Sequence, residues 1–452
     1  MKTISKFALT LLVAGVIFSC KKKEDDPAPV TPPVTPPTTQ KTETLSGDLS
    51  TRTLDSAILY TLTGLVYVND GVTLTIPEGT VLLGDKASKA ALVVQRGGKL
   101  IANGTALHPV VFTSSAPATY RNSGDWGGVI LCGRANVNQG TSNVVEGPTD
   151  FSTVTGKGIY GGTNDADNSG TLTFVRIEFA GISYAANKEI NSLTLAGVGN
   201  GTTINHVQAS YGGDDSFEWF GGTVNAKYLV AYKGWDDDFD TDFGYSGKVQ
   251  FGYVVRGATL ADQSGSNGFE SDNDATGSAL TPQTAAKFSN ISILGPLVFS
   301  TSISGNFKVC GHIRRNSAQV VANSIMCGFN NTINFDKTSG TLKVKNNYFA
   351  GNTSQNPGLF TAGNGNDTTG FFAANYRVLT TDLFASVANE STAGLLKTGS
   401  AALTGADFTA TTGITDSFFD QVNYIGAFGT TPSTAWEWTT GWLNFAPQTT
   451  TY

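Results

Sequence analysis

The chain is poor in cysteine, methionine, histidine and charge. Its 452 residues include 4 Cys, 2 Met and 3 His, and only 14% of positions are charged. So few cysteines exclude the disulfide framework of small secreted domains. The histidines form no metal motif, and CGH at 310–312 has no partner pair at zinc-site spacing. Long apolar runs are missing too: FALTLLVAGVIF at 7–18 stops at twelve residues, too short to cross a membrane as a helix. The formal net charge is −7 with no basic patch, which argues against a nucleic-acid partner. No Ser-His-Asp pattern, phosphate-binding loop or metalloprotease motif is present.

What is present in quantity is glycine, 53 residues of it, among Thr, Ser, Asn and short apolar runs. That composition points to β-structure with frequent turns. At the N-terminus, MKTISK and the apolar run lead to IFSC, which resembles a bacterial lipobox with Cys20 as the lipidated residue. Residues 1–19 then read as a lipoprotein signal peptide, whose loss takes Lys2 and Lys6 and moves the formal charge from −7 to −9. Several acyl chains on Cys20 would make a stable anchor. KKKEDD and PAPVTPPVTPPTTQ follow, so residues 20–41 form a proline-rich tether. In polyproline II its residues 27–40 would reach about 40 Å. The charged run after Cys20 resembles the export signal of surface-displayed Bacteroidota lipoproteins. Cys132, Cys310 and Cys327 remain, an odd number that reads as buried apolar residues, with a Cys310–Cys327 bridge left open.

Strand-like runs recur from GLVYV (64–68) to NYFAG (347–351), closed by Gly, Asn, Asp or Thr. VTLTIPEGTVLLG (72–84) and GKLIANGTALHPVVFTS (98–114) share a strand–turn–strand rhythm, and NISILG, NSIMCG and NNYFAG recur at offsets of 33 and 23 residues. A propeller blade needs about 40 residues, whereas GGDDSFEWFG (212–221) aligns with GWDDDFDTDF (234–243) at an offset of only 22. The expectation is an all-β chain, a right-handed parallel β-helix over residues 62–351. Its open ends call for caps, placed at 42–61 and 352–452. A short helix is expected at 380–389, with Trp436, Trp438 and Trp442 in the core of the second cap.

The 22-residue match aligns Asp214 with Asp236, Asp215 with Asp237, Phe217 with Phe239 and Glu218 with Asp240. SNGFESDND (266–274) extends it by 30 residues. Alternation in DFDTDF points Phe239, Thr241 and Phe243 inward and Asp238, Asp240 and Asp242 outward. Stacked coils would lie ~4.8 Å apart, giving an interior ladder of Phe217, Phe239 and Phe269 and an outer acidic ladder. Asp215, Glu218, Asp237, Asp240, Asp242, Glu270 and Asp272 are its candidate metal ligands. Like charges at that spacing repel by roughly 1 kcal/mol in water and more where shielded. Hydration, protonation, a cation or Lys233 and Arg256 would have to offset this. Calcium is the candidate metal, because it takes six to eight oxygens. DADNSG (165–170) and DNDATG (272–277) resemble the front half of a calcium loop, which adds Asp165, Asp167 and Asp274. The alternative is ordinary hydrogen-bonded turns on a hydrated acidic surface.

GDWGGVILCGRANVN (124–138), DNSGTLTFVRIEFAG (167–181), the run at 213–252, HIRRNSAQVVANSIMCGF (312–329) and YIGAFG with WTTGWLNFAP (424–447) together carry a resemblance. The chain resembles a family of Bacteroidota outer-membrane lipoproteins of β-helix fold, most of residues 45–447 taking part. The resemblance implies an outer-membrane-attached protein, often encoded near TonB-dependent transporters, and carries over no catalytic residues. The expected function is a surface-exposed binding scaffold for an envelope protein complex or glycan. Alternatives are a calcium-dependent polysaccharide lyase or glycosidase, with Lys233 or Arg256 as the base, and an adhesin or surface-layer component. Trp126 is either a core residue or a sugar platform. Of Arg314 and Arg315, one is expected to face inward or onto an acid and the other solvent.

Overall fold

The computed structural model describes residues 40–185, 188–337, 343–354, 356, 380–431, 433–437 and 441–452. The signal peptide, Cys20, the tether up to residue 39 and Trp438 lie outside the described residues. Within them the chain is a parallel β-helix. Each coil lays its strands in register on the coil before, so one 24-stranded sheet winds through the molecule. The sequence runs fall where expected: 73–77 pairs with 99–103 and 81–84 with 111–114, in parallel.

Inward side chains are apolar because each strand alternates. Val129, Leu193, Phe217, Phe239 and Phe269 stack in one column, in register from coil to coil. Phe217 and Phe239 lie 5.8 Å apart and Phe239 and Phe269 5.6 Å, which is the expected aromatic ladder. The alternation ends one residue early, at Asp242. Phe243 takes a left-handed φ of 50° and packs outside against Phe220, not in the interior.

A second column makes a corner. Phe174, His206, Tyr228, Phe251, Asn290, Asn323 and Asn346 occupy equivalent positions in successive coils, all with φ between 50° and 62°. A left-handed conformation costs a non-glycine residue about 1–2 kcal/mol. Ring stacking offsets part of that, with centroids 4.3, 4.4 and 5.1 Å apart from Phe174 through His206 and Tyr228 to Phe251. The asparagines tolerate the conformation and turn their amides outward. NISILG, NSIMCG and NNYFAG each begin with one of these corner asparagines.

Two expectations about the ends change. Lys41–Asp48 pairs in parallel with Ile58–Val68, so the segment expected as a cap over 42–61 already forms the first coil. Of the expected C-terminal cap, residues 357–379 lie outside the described residues, and the described part from 380 onward lies along the coils. It runs back along one flank: Asn346 donates to the Gly405 carbonyl, Asn323 to Asp407, Asn290 to Tyr424 and Gln208 to Asn444. Arg121, near the start, bonds the carbonyls of Pro447 and Thr450. This strap exists because the flank is apolar: Tyr228, Val230, Tyr232, Tyr253, Val255 and Ile325 face outward and need cover. Trp436 and Trp442 are buried in it, as expected of the second cap's core. The helix expected at 380–389 is one turn, Thr380–Leu383.

The three cysteines within the described residues are free and buried. Cys310 belongs to the interior core and Cys327 to the strap-covered flank, so no bridge joins them.

Candidate functional site

Opposite the corner column, short strands carry the acidic ladder. Glu218, Asp240, Glu270 and His312 are stacked in register on Phe217–Phe220, Phe239–Asp242, Phe269–Ser271 and Val309–Arg314. The expected stack is therefore present, but it is not a solvated face. Asp215, Glu218 and Asp237 are buried and Asp240 is half-buried.

The upper part of the ladder is where charge crowds. Asp215, Glu218 and Asp240 place a carboxylate oxygen each within 4.8 Å of one another, and so do Asp214, Asp215 and Asp236. Asp215 belongs to both groups. Among the described residues no Lys, Arg or His comes within ion-pair distance of Asp214, Asp215, Glu218, Asp237 or Asp240. Burial, and then the neighbouring carboxylates, push Asp214, Asp215, Glu218 and Asp237 well above the usual carboxylate range. Asp240 rises for the same reasons, with Arg314 opposing. Burial and Asp262 bring Asp236 to about 6.

Oxygens without partners border these groups. Asp236 Oδ1, Asp240 Oδ1, Asn191 Oδ1 and Asn267 Oδ1 are buried with no hydrogen bond. Asn191 is fixed by donating Nδ2 to Glu218, and Asn267 by donating its backbone N–H to Asp237. A dense set of oxygen ligands with no sulfur or imidazole suits a hard cation such as calcium. Each group of three could hold such an ion: Asp214, Asp215 and Asp236, or Asp215, Glu218 and Asp240.

The lower part is neutralised from within. Arg314 bonds Glu270, and its Nε lies 2.9 Å from Asp272, which also receives Arg315 Nη1 at 2.7 Å. Both arginines thus reach the ladder, because Arg315 adopts φ 46° and leaves the strand alternation. Glu270 is still raised, by burial and then Asp240. Asp242 is lifted to about 8, by burial first, though its own carboxylate accepts the Phe243 N–H.

The remaining candidates lie elsewhere. Asp238 is an interior residue and not a ladder member. It pairs with Arg256 at 3.0 Å, both side chains fully buried. Arg256 also donates to the Asp236 carbonyl and lies over Phe307, so it is a structural group and no free base. Lys233 sits on the strap side, 2.9 Å from Glu390. Trp126 is fully buried, stacks on Phe112 and donates Nε1 to the Glu178 carbonyl, which removes it as a sugar platform.

The two calcium-like loops behave as hydrogen-bonded turns. Asp274 accepts from the Thr276 and Ser278 amides and hydroxyls. Burial works against it, but those bonds hold its pKa at about 2. Asp165 accepts from Asn136, and Asp167 from the Ser169 hydroxyl. Neither belongs to a carboxylate group of the kind formed by Asp215. Sequence reasoning left Asp214 and Asp236 out of the carboxylate groups, although the 22-residue match had aligned them. It also passed over His312, whose Nδ1 is 3.9 Å from Glu270 and whose pKa is lowered by burial and then Arg314.

No curated protein and no solved structure matches the chain. A family model described as a pectate-lyase-like beta helix domain matches residues 47–442, nearly the whole described body. The chain belongs to the pectate-lyase-like beta-helix domain family.

Proposed function

We propose that this chain is a lipid-anchored, cell-surface outer-membrane protein. It serves as a rigid binding scaffold for an envelope protein complex or glycan, with calcium organising its acidic wall. The observation that carries the binding reading is the buried carboxylate group around Asp215, which has no basic partner of its own. Both side chains expected to act as a base, Lys233 and Arg256, are engaged in ion pairs. The anchor and the display on the surface rest on the lipobox at Cys20 and the tether after it.

The test is a mild-detergent pull-down of the tagged full chain from its own outer membrane, read by quantitative mass spectrometry. A stoichiometric outer-membrane transporter or assembly protein is expected, retained in calcium and reduced in EDTA. Its absence, with no retained glycan either, would sink the scaffold reading. The second reading is a calcium-dependent lyase or glycosidase. His312 favours it, as an imidazole held neutral beside the ladder carboxylates. Unsaturated ends released from an acidic polysaccharide, and lost in His312→Ala, would establish it.

A further inference from the structure

A cleft of about 770 Å³ opens between the early coils and the insertion at 134–164 that folds over them. That volume is in the range of small-molecule sites, roughly 300–1,000 Å³. Its lining carries three basic residues against one acid, Asp70, in a chain whose formal charge is −7. Arg96, Arg134 and Lys157 come from three separate segments.

Their present partners differ in strength. Arg134 pairs with Asp70 at 2.7 Å and Lys157 with Asp48 at 2.6 Å, both pairs partly in solvent. Such surface pairs contribute little, about 0.2–1 kcal/mol, and a better anion exchanges them easily. Arg96 has no acidic partner among the described residues. Its Nη1 donates only to the backbone carbonyls of Thr141 and Gly161, which leaves the guanidinium charge uncompensated.

Gln95 adds an independent pointer. It is more than nine-tenths buried, lines the cleft, and its Nε2 has no hydrogen-bond partner. The amide cannot turn over to hide that donor, because Oε1 already accepts the Gly158 N–H at 3.1 Å. An idle buried donor beside an unpaired guanidinium calls for a ligand rich in acceptors.

We propose that this cleft binds a phosphorylated, sugar-sized molecule. Donors from several segments suit the three terminal oxygens of a phosphate. A planar carboxylate is best met by the open fork of one arginine, and Nη1 of Arg96 is already committed. Thr141, Ser142, Thr155, Thr163 and Asn164 on the rim offer hydrogen bonds to sugar hydroxyls. The site is separate from the acidic wall and does not depend on calcium there.

Titration calorimetry of the full chain in detergent, with glucose 6-phosphate as probe, tests it. Glucose 6-phosphate is expected to bind at least tenfold more tightly than glucose, inorganic phosphate or glucuronate, and equally in calcium and EDTA. Arg96→Gln should weaken binding about tenfold or more. Gln95→Glu keeps the acceptor for Gly158, replaces the idle donor with a repelling charge, and should weaken binding as strongly. It decides the matter if Arg96→Gln fails to fold. Inorganic phosphate binding as tightly as the sugar phosphate, tighter binding of glucuronate, loss of binding in EDTA, or unaltered binding in Gln95→Glu would each overturn the proposal.

Discussion

The same coils present two walls to the outside, built on opposite solutions. On the strap wall, outward residues are Tyr, Val, Phe and Ile, and the C-terminal segment covers them. Its backbone is met by side chains at fixed coil positions: Asn346, Asn323, Asn290 and Gln208 donate to its carbonyls. On the acidic wall, outward residues in the same coils are carboxylates, and several buried oxygens have no partner. Both walls share one interior, so packing does not require the acids. The strap wall keeps a few such atoms, Arg176 Nε and Ser210 Oγ among them, whereas the acidic wall gathers unpartnered oxygens around crowded carboxylates, and that asymmetry is what supports the proposed cation there.

The strap wall should break most heavily. Trp436 lies edge-on to Tyr228, 5.0 Å between centroids, packs 4.7 Å from Phe428, and is buried. Trp436→Ala should cost about 3–5 kcal/mol in equilibrium unfolding. A loss well under 1 kcal/mol would mean that the strap is an accessory and the contrast between the walls is false.

The interior of the fold was legible because a β-helix repeats its inward residues. Phe217, Phe239 and Phe269 could be aligned from sequence alone, and they stack. The outer wall was legible only as a list of acids. Strand periodicity placed Asp240 correctly and Asp238 wrongly, because Asp238 precedes the strand and turns inward to Arg256. Arg256 and Lys233 looked like counterions of the ladder by proximity in sequence, but a solenoid separates chain neighbours onto different walls. The strap was illegible for a related reason. Its partners lie from 59 residues away, as Gly405 for Asn346, to 329, as Thr450 for Arg121, and follow no repeat.

On the acidic wall, the effect should appear as a dependence on pH. Asp236 is lifted to about 6 and Asp242 to about 8, in each case by burial first. A carboxyl raised above its unfolded value of about 3.9 binds more protons when folded, so stability is lost as pH rises from there through the folded value. Asp274, held at about 2, acts in the opposite sense, but its contribution is lost only below about pH 4. His206, lowered by burial to about 4, adds stability as pH rises toward 6.5, so the melting temperature in EDTA should fall from about pH 6.5 to about pH 8. Calcium in excess should flatten that fall, since the cation relieves the same repulsion. At about a hundred times its dissociation constant it would add about 2.7 kcal/mol. A melting temperature in EDTA that holds steady over this range would leave the wall without a need for a cation.

The smallest effect gives the sharpest contrast, because one charge removed from each wall should act with opposite sign. On the strap wall, Asp420 pairs with Lys227 at 2.7 Å, its side chain 56% exposed. Asp420→Asn should destabilise by at most about 0.2–1 kcal/mol, less at high salt. On the acidic wall, Asp215→Asn removes the carboxylate common to both close groups. In EDTA at neutral pH it should stabilise the chain, because it relieves repulsion that no basic residue offsets. In calcium it should lose that advantage, because it also removes a ligand. If Asp215→Asn destabilised the chelated chain as Asp420→Asn does, the carboxylates would already be satisfied within the protein, and the two walls would differ in composition but not in what they require.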